Sequence, residues 1–288
     1  METKSATLIV DCMNALGEGV QWNPADKKIY WTDIFGNTLW SCDEDGTSVS
    51  LLKLPAGLCA FAFTQDRMLA AFTDGLYWFD LAHKTRELIQ LYQPDLPHTR
   101  MNDGGLDRQG RFVIGGIDED GMRPITPIWN VEPNGISEII QGVGCANSLV
   151  FSPDGQILYF ADTADTPIYA MDYDQTDGTA SNKRLFADSN LGKPDGSCVD
   201  AEGGLWNARF GGASVQRFSA DGAEDFRVTL PVPNVTCCCI GGSNMNRLFI
   251  TTARLGMSDD SLASSPKAGG LFMCDLPYTG LPHGTFKT

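Results

Sequence analysis

Histidine is scarce in this 288-residue chain, which has only His83, His98 and His283. Each lies in a polar, turn-like segment, so we expect three surface imidazoles. A His-rich metal centre has too few residues to draw on, and a Ser-His-Asp triad would have to use one of these three. Any chemistry is therefore expected to depend on oxygen-bearing side chains.

Basic residues are also few: 21 Lys and Arg stand against 36 Asp and Glu, a formal net charge of −15 at pH 7. This charge repels phosphate backbones, so nucleic-acid binding is not expected. No apolar run approaches the roughly 18 residues that span a bilayer. The N-terminal residues do not resemble a secretion signal, and the nine cysteines include no C-x-x-C pair. Free thiols in a cytoplasmic protein are expected.

A repeat runs along the whole chain: a polar turn followed by a short run of β-formers. It appears as PADKKIYWTD, QDRMLAAFTD, RQGRFVIGG, PDGQILYFAD, AEGGLWNAR and SNMNRLFITT, with starts 41 to 48 residues apart. Many units continue into a second hairpin, which gives four strands per repeat. Six such units predict an all-β, six-bladed β-propeller that occupies residues 1–288 as a single domain. Because a closed propeller has few exposed strand edges, a monomer is expected.

Equivalent positions in the six units follow from counting six residues back from each turn. They are Glu18, Cys59, Asn102, Asn147, Asp195 and Cys237. Each precedes a small or apolar run that is predicted to be the innermost strand of a blade. The counted residues are therefore expected to surround one end of the central channel.

Four of these residues carry oxygen-bearing polar side chains, which are costly to bury unless something satisfies them. Carboxylate and amide oxygens suit hard divalent cations, and two carboxylates balance the 2+ charge. A metal site and a set of solvated channel residues both remain open at this point. Cys59 and Cys237 share the counted position, and Cys238 and Cys239 follow Cys237 directly. Small buried thiols are expected, and a thiolate ligand for Zn²⁺ or Fe²⁺ is the alternative.

Arg100 precedes Asn102 by two residues, where its guanidinium could bind an oxyanion or a ring oxygen, or pair with a surface carboxylate. An acidic stretch, Asp118, Glu119 and Asp120, follows the next predicted strand. A solvated loop and a substrate contact are both compatible with this stretch.

Four motifs in order resemble the gluconolactonase family, also called the senescence marker protein or regucalcin family. They are LGEGVQW, RMNDGGLDRQGRF, NSLVFSPDG and PDGSCVDAEGGLW. The closing segment TTARLGMSDDSLASSPKAGGLF is similar to that of bacterial enzymes that hydrolyse aldonolactones. The resemblance extends from Leu16 to about Phe272, and it implies a six-bladed propeller.

The resemblance implies that Glu18, Asn147 and Asp195 bind one divalent metal ion. Ca²⁺, Zn²⁺, Mn²⁺, Mg²⁺ and Fe²⁺ all remain open. It further implies that Arg100 and Asn102 bind the substrate. A substrate-binding Glu of the family aligns with Asp120, whose side chain is shorter.

The implied activity is hydrolysis of a sugar lactone, a pentonolactone or a hexonolactone, to its aldonic acid in sugar catabolism. Asp195 would combine metal binding with accepting a proton from the attacking water. Two alternatives remain open, a non-catalytic cation-binding propeller and a hydrolase of a non-sugar ester or lactone.

Overall fold

Short strands make up most of the protein. The computed structural model describes residues 1–288, and the chain forms two compact units. The first unit combines Met1–Pro55 with Ser189–His283, and the second combines Ala56–Asp188 with Gly284–Thr288. Each unit holds three blades, and the fold is a six-bladed β-propeller, as predicted. The single domain over residues 1–288 stays a prediction.

The N-terminal part of the first unit begins with two short strands and continues with one complete blade. Its strands are β1 (Glu2–Ser5), β2 (Thr7–Val10), β3 (Gly17–Asn23), β4 (Lys28–Asp33), β5 (Thr38–Asp43) and β6 (Ser50–Lys53). Strands β3 to β6 form an antiparallel sheet in chain order.

The second unit consists of three antiparallel sheets of four strands each, again in chain order. The first sheet contains β7 (Leu58–Phe63), β8 (Met68–Phe72), β9 (Gly75–Asp80) and β10 (Thr85–Leu91). The second contains β11 (Thr99–Leu106), β12 (Phe112–Asp118), β13 (Thr126–Glu132) and β14 (Gly135–Val143). The third contains β15 (Ala146–Phe151), β16 (Ile157–Asp162), β17 (Ile168–Tyr173) and β18 (Ala180–Ala187).

The C-terminal part of the first unit supplies the remaining two blades, and strands from the N-terminus join both. One blade contains β19 (Lys193–Val199), β20 (Leu205–Phe210), β21 (Ser214–Phe218) and β22 (Glu224–Thr229). The other contains β23 (Val235–Gly241), β24 (Arg247–Thr252) and β25 (Leu271–Asp275), with the helix α1 (Asp259–Ser264) between its last two strands. Strand β1 pairs in parallel with β22, and β2 pairs antiparallel with β25. The N-terminal segment thus provides the fourth strand of the last blade.

Apolar side chains fill the space between the faces of neighbouring blades within each unit. In the first unit Trp206 and Phe226 of one blade form a cluster with Leu248 and Phe272 of the next. Because both faces of a blade are covered, the inner strands have continuous apolar sequences instead of an alternation of apolar and polar residues. Strand β8 is buried at every residue, whereas every residue of the outermost strand β10 is exposed or half-buried.

The innermost strands of successive blades approach closely. Strand β11 packs against β7 and β15 in the second unit, and β23 packs against β19 and β3 in the first. A Cβ at Gly105 would lie 2.4 Å from the carbonyl oxygen of Leu149, and one at Gly196 would lie 2.6 Å from the Cys237 Sγ. Glycine is therefore required at both places. No helix in the structure is long and apolar enough to cross a membrane.

Candidate functional site

The six counted residues occupy equivalent places in the structure. They are Glu18 on β3, Cys59 on β7, Asn102 on β11, Asn147 on β15, Asp195 on β19 and Cys237 on β23. In each of these innermost strands, the pairing with the second strand shifts register at or beside the counted residue. Such β-bulges redirect side chains and are frequent beside active sites. Every blade therefore changes the course of its innermost strand at the same point.

Two of the bulges contain a residue in the left-handed region directly after a predicted metal ligand. Gly19, after Glu18, has φ of +58°, and Ser148, after Asn147, has φ of +59°. Glycine adopts this conformation freely, whereas serine does so at a cost. Ser148 is one of eleven non-glycine residues with positive φ, and strained residues of this kind also occur at functional sites.

The loops that enter β3 and β15 are fixed by the last residue of the partner strand. Asp33 accepts hydrogen bonds, each 3.0 Å long, from the N–H groups of the second and third residues before Glu18. Asp162 accepts bonds of 2.8 and 2.9 Å from the N–H groups at the same distance before Asn147. Charge-assisted bonds to buried main-chain groups hold both entry points in place.

The first unit contributes two carboxylates. Asp195 is only 6% exposed, and its main-chain oxygen accepts a hydrogen bond of 2.9 Å from Asn207 Nδ2. Arg209, fully buried, donates to Asn207 Oδ1 at 2.9 Å and to the carbonyl oxygens of Leu191 and Gly192. Hydrogen bonds therefore fix both the main chain of Asp195 and the segment that precedes its strand.

Glu18, the other carboxylate of the first unit, is half-buried. Its Oε2 accepts a hydrogen bond of 3.1 Å from the N–H of Gly19. The left-handed conformation of Gly19 thus accompanies a direct contact between the bulge and the Glu18 carboxylate.

The second unit contributes a chain of hydrogen-bonded side chains. Arg100 Nη1 donates to Asn102 Oδ1 at 2.9 Å, and Asn102 Nδ2 lies 3.4 Å from Asn147 Oδ1. Asn147 Nδ2 in turn donates to Thr163 Oγ1 at 2.6 Å. The structure therefore brings together the two predicted substrate-binding residues and the predicted amide ligand of the metal.

Arg100 is 6% exposed, and its Nε donates to Glu119 Oε1 at 2.7 Å. Burial works against the charged form, but Cys59 and Glu119 raise the pKa of Arg100 above its usual value. The side chain is thus a fixed cation with an acidic partner.

The acidic stretch after β12 divides into three environments. Asp118 is buried and accepts bonds of 2.8 and 3.0 Å from the Arg123 guanidinium, which holds its pKa well below the usual range. Glu119 contacts Arg100, whereas the Asp120 side chain is 68% exposed and lies 3.6 Å from Arg123. The family resemblance assigns the acidic substrate contact to Asp120. In the structure it is Glu119 that contacts Arg100, and this contact depends on how the chain leaves β12.

The cysteines are free thiols, and most are buried. Along β23, Cys237 and Cys239 belong to one apolar cluster and Cys238 to another, the alternation expected of a strand. Burial raises the pKa of Cys239 to about 12 and also raises that of Cys238. Both therefore remain protonated at neutral pH and serve to fill the core.

Two of the three histidines are on the surface, as expected. His83 and His98 are exposed, and His83 pairs with Asp80. The expectation for His283 is wrong in degree, because this residue is half-buried, with Nε2 2.9 Å from the carbonyl oxygen of Ile240.

No group of three or more His, Cys, Asp or Glu side chains that could hold a metal ion occurs in the structure. A metal site would therefore have to include donors of other types. In the first unit Glu18 and Asp195 are carboxylates, and in the second unit Asn147 carries an amide oxygen. Carboxylate and amide oxygens are both donor types that hard divalent cations accept.

The sequence profile of the SMP-30/gluconolactonase/LRE-like region matches residues 16–254. The chain belongs to this family. The predicted family is thereby confirmed, and its matched region includes every residue of the candidate site.

Two relatives are similar to the chain over almost its whole length. L-arabinolactonase of Azospirillum brasilense is 39% identical, over 98% of this chain and 95% of that protein. 6-Deoxy-6-sulfogluconolactonase of Pseudomonas putida is 32% identical, over 95% of each. Among solved structures, the calcium-binding protein regucalcin of Agrobacterium tumefaciens superimposes with a TM-score of 0.95 at 28% identity, over the full length of both chains.

Proposed function

We propose that this protein is a metal-dependent lactonase that hydrolyses a sugar lactone, a pentonolactone or a hexonolactone, to its aldonic acid in sugar catabolism. The observation that carries the proposal is the hydrogen-bonded chain Arg100–Asn102–Asn147, in which predicted substrate-binding groups touch a predicted metal ligand. An ion-binding protein would not need a buried arginine beside its ligand.

The predicted enzyme class is confirmed: the relatives named lactonases belong to the carboxylic-ester hydrolases. The identity of the substrate needs support of its own. The relative with 39% identity is named for L-arabinolactone, and a pentonolactonase of Haloferax volcanii is 31% identical over 96% of this chain. Both names favour a pentonolactone among the candidate substrates.

Glu18, Asn147 and Asp195 are proposed to bind one divalent cation. Each stands at the bulge of an innermost strand, and equivalent positions of a propeller's innermost strands border one central channel. The two carboxylates match the charge of the ion, and the Asn147 oxygen adds a neutral donor. A cation bound there would polarise the lactone carbonyl and stabilise negative charge on its oxygen.

Arg100 and Asn102 are proposed to orient the lactone ring through hydrogen bonds to its hydroxyl and ring oxygens. The Arg100 guanidinium is hydrogen-bonded to Glu119 through Nε and to Asn102 through Nη1. Substrate binding would therefore cost this side chain little conformational entropy. Asn102 is fixed in the same way between Arg100 and Asn147. Glu119, rather than Asp120, is proposed as the acidic member of this group.

Asp195 is proposed to accept a proton from the attacking water. The water oxygen adds to the carbonyl carbon, the bond from that carbon to the ring oxygen breaks, and the ring oxygen takes up a proton. One lactone and one water thus give one hydroxy acid. The fixed backbone around Asp195 suits a carboxylate that must meet the water in one orientation.

A proton-release assay on a panel of sugar 1,4- and 1,5-lactones tests the proposal. Chelator-treated protein is supplied with one divalent cation at a time, and spontaneous ring opening is subtracted. Turnover that returns with metal supports the lactonase and ranks sugars and cations together. Metal binding without turnover on any lactone would instead favour the cation-binding alternative, which the likeness to a regucalcin described as calcium-binding makes worth testing.

A further inference from the structure

Asp103 is a carboxylate that the proposed reaction does not use. It follows Asn102 on β11, and it is partly buried. Its Oδ1 accepts a hydrogen bond of 2.9 Å from the N–H of Gly104, and its Oδ2 accepts one of 3.3 Å from the N–H of Leu149 on β15. The N–H of Ser148 also donates to this carboxylate. Asp103 therefore joins the strand of the substrate residues to the strand of Asn147.

The two main-chain N–H groups of β15 that donate to Asp103, those of Ser148 and Leu149, belong to the bulge itself. Asn147 is paired with Ala161 of β16, and the next register pair joins Val150 to Tyr159. The N–H groups of the intervening residues lie outside this register, and buried main-chain N–H groups need an acceptor. The Asp103 carboxylate meets that need. Burial raises the pKa of Asp103 to about 6, whereas the hydrogen bonds from the N–H groups of Leu149, Gly104 and Ser148 favour its ionised form.

The bulge of β15 requires such support because its left-handed residue is Ser148, which is fully buried. The corresponding residue of β3 is Gly19, which adopts the same φ without strain. The direction of the Asn147 side chain depends on this single backbone step, since Ser148 follows it directly.

We infer that Asp103 is a positioning residue: by accepting the N–H groups of the β15 bulge, it holds Ser148 in its left-handed conformation and so directs Asn147 toward the metal. The inference rests on the proposed function, because it presumes that Asn147 is a metal ligand. It assigns Asp103 no contact with substrate or metal.

Mn²⁺ binding to metal-free, full-length protein tests the inference through the electron paramagnetic resonance signal of the free ion. Asp103→Asn is expected to raise the Kd for Mn²⁺ by about 10- to 100-fold, as is usual when a group supporting a metal ligand is lost. The matched control is Asp154→Asn, in the turn of the same β15–β16 hairpin, where the carboxylate accepts bonds from Ser152 and Gln156. This control is expected to leave the Kd unchanged.

A second substitution separates positioning from general stability. Ser148→Gly gives the β15 bulge the residue type that β3 has, so Asp103→Asn combined with Ser148→Gly is expected to recover most of the lost Mn²⁺ affinity. The melting temperature of the metal-free protein is measured alongside. A loss of affinity that Ser148→Gly leaves uncorrected, in step with a lower melting temperature, would overturn the inference.

The remaining outcomes separate this inference from the proposed function. If the unsubstituted protein binds no Mn²⁺, the proposed metal site itself fails. If Asn147→Ala weakens binding and Asp103→Asn does not, only the role of Asp103 fails. Amide hydrogen exchange of the unsubstituted, metal-free protein provides a measurement that needs no variant: slow exchange at Ser148 and Leu149 is expected, and fast exchange at both would contradict the inference.

Discussion

The two compact units share a β-bulge in each innermost strand and differ in the side chains at these bulges. In both, the innermost strand of every blade shifts register at the same place. In the first unit the residues there are Glu18, Asp195 and Cys237, and in the second they are Cys59, Asn102 and Asn147. The repeated bulge thus offers six equivalent positions, and the residue types at them determine the chemistry. Two carboxylates occupy these positions in one unit, and two amides with an adjoining arginine occupy them in the other.

The largest effect is expected from removing an anionic donor of the first unit. Asp195→Ala should abolish metal binding and lower kcat/KM together by about 10³-fold or more, because charge stabilisation by a bound cation contributes several kcal/mol. Calorimetric metal titration and the proton-release assay check both quantities. Glu202→Ala, which removes an exposed carboxylate of the same unit, is the control. Turnover that survives in Asp195→Ala would remove Asp195 from the mechanism.

A smaller and more selective effect is expected from the second unit. Arg100→Ala should lower kcat/KM by about 10²-fold, because the lactone loses its orientation, while the Kd for the metal changes far less. Arg184→Ala, a half-exposed arginine paired with Asp172 in the same unit, serves as the control. Equal losses of metal binding and turnover in Arg100→Ala would contradict the division of roles between the units.

Substitutions of Glu119 and Asp120 show which acidic residue supports Arg100. Glu119→Gln should lower kcat/KM by about tenfold, because the charged partner of Arg100 is lost. Asp120→Asn should have a clearly smaller effect, since Asp120 is exposed and lies beside Arg123 instead. Steady-state kinetics of the two variants decide between them. A larger loss in Asp120→Asn would restore the assignment made from sequence alone.

The smallest effect concerns stability and pH. The Arg123 guanidinium holds the pKa of Asp118 well below its usual value of about 3.9, so this pair stabilises the folded protein above that pH. As the pH falls through the lowered pKa, Asp118 takes up a proton and the contribution is lost. Asp118→Asn should therefore lower the melting temperature at pH 7, and the difference from the unsubstituted protein should narrow below pH 4. If the melting temperatures of the two proteins differ equally at pH 7 and below pH 4, the ionised Asp118–Arg123 pair contributes nothing to stability.

The fold was predictable because the hairpin repeat is local. Turn residues and β-formers recur within each unit, so six blades and the equivalence of Glu18, Asn102, Asn147 and Asp195 follow from counting. The pairing of β1 with β22 and β2 with β25 was not predictable in this way. Those contacts join segments more than 200 residues apart, and no short motif specifies them.

The supporting groups of the site were harder to find for a related reason. Glu119 contacts Arg100, and Asp103 accepts hydrogen bonds from the main chain of β15. Such contacts depend on the path of a loop or on a bulge. Residue types alone do not reveal them. The left-handed Ser148 likewise has no signal in the sequence, since serine is common in ordinary strands and turns.

The most direct test of a metal-dependent lactonase is to titrate one chelator-treated sample with Mn²⁺ while following both bound metal and turnover of L-arabinono-1,4-lactone. The proposed site predicts that the two curves coincide, with one ion bound per chain at full activity. Turnover that is complete before any metal is added back, or that does not change as the ion binds, would contradict the account.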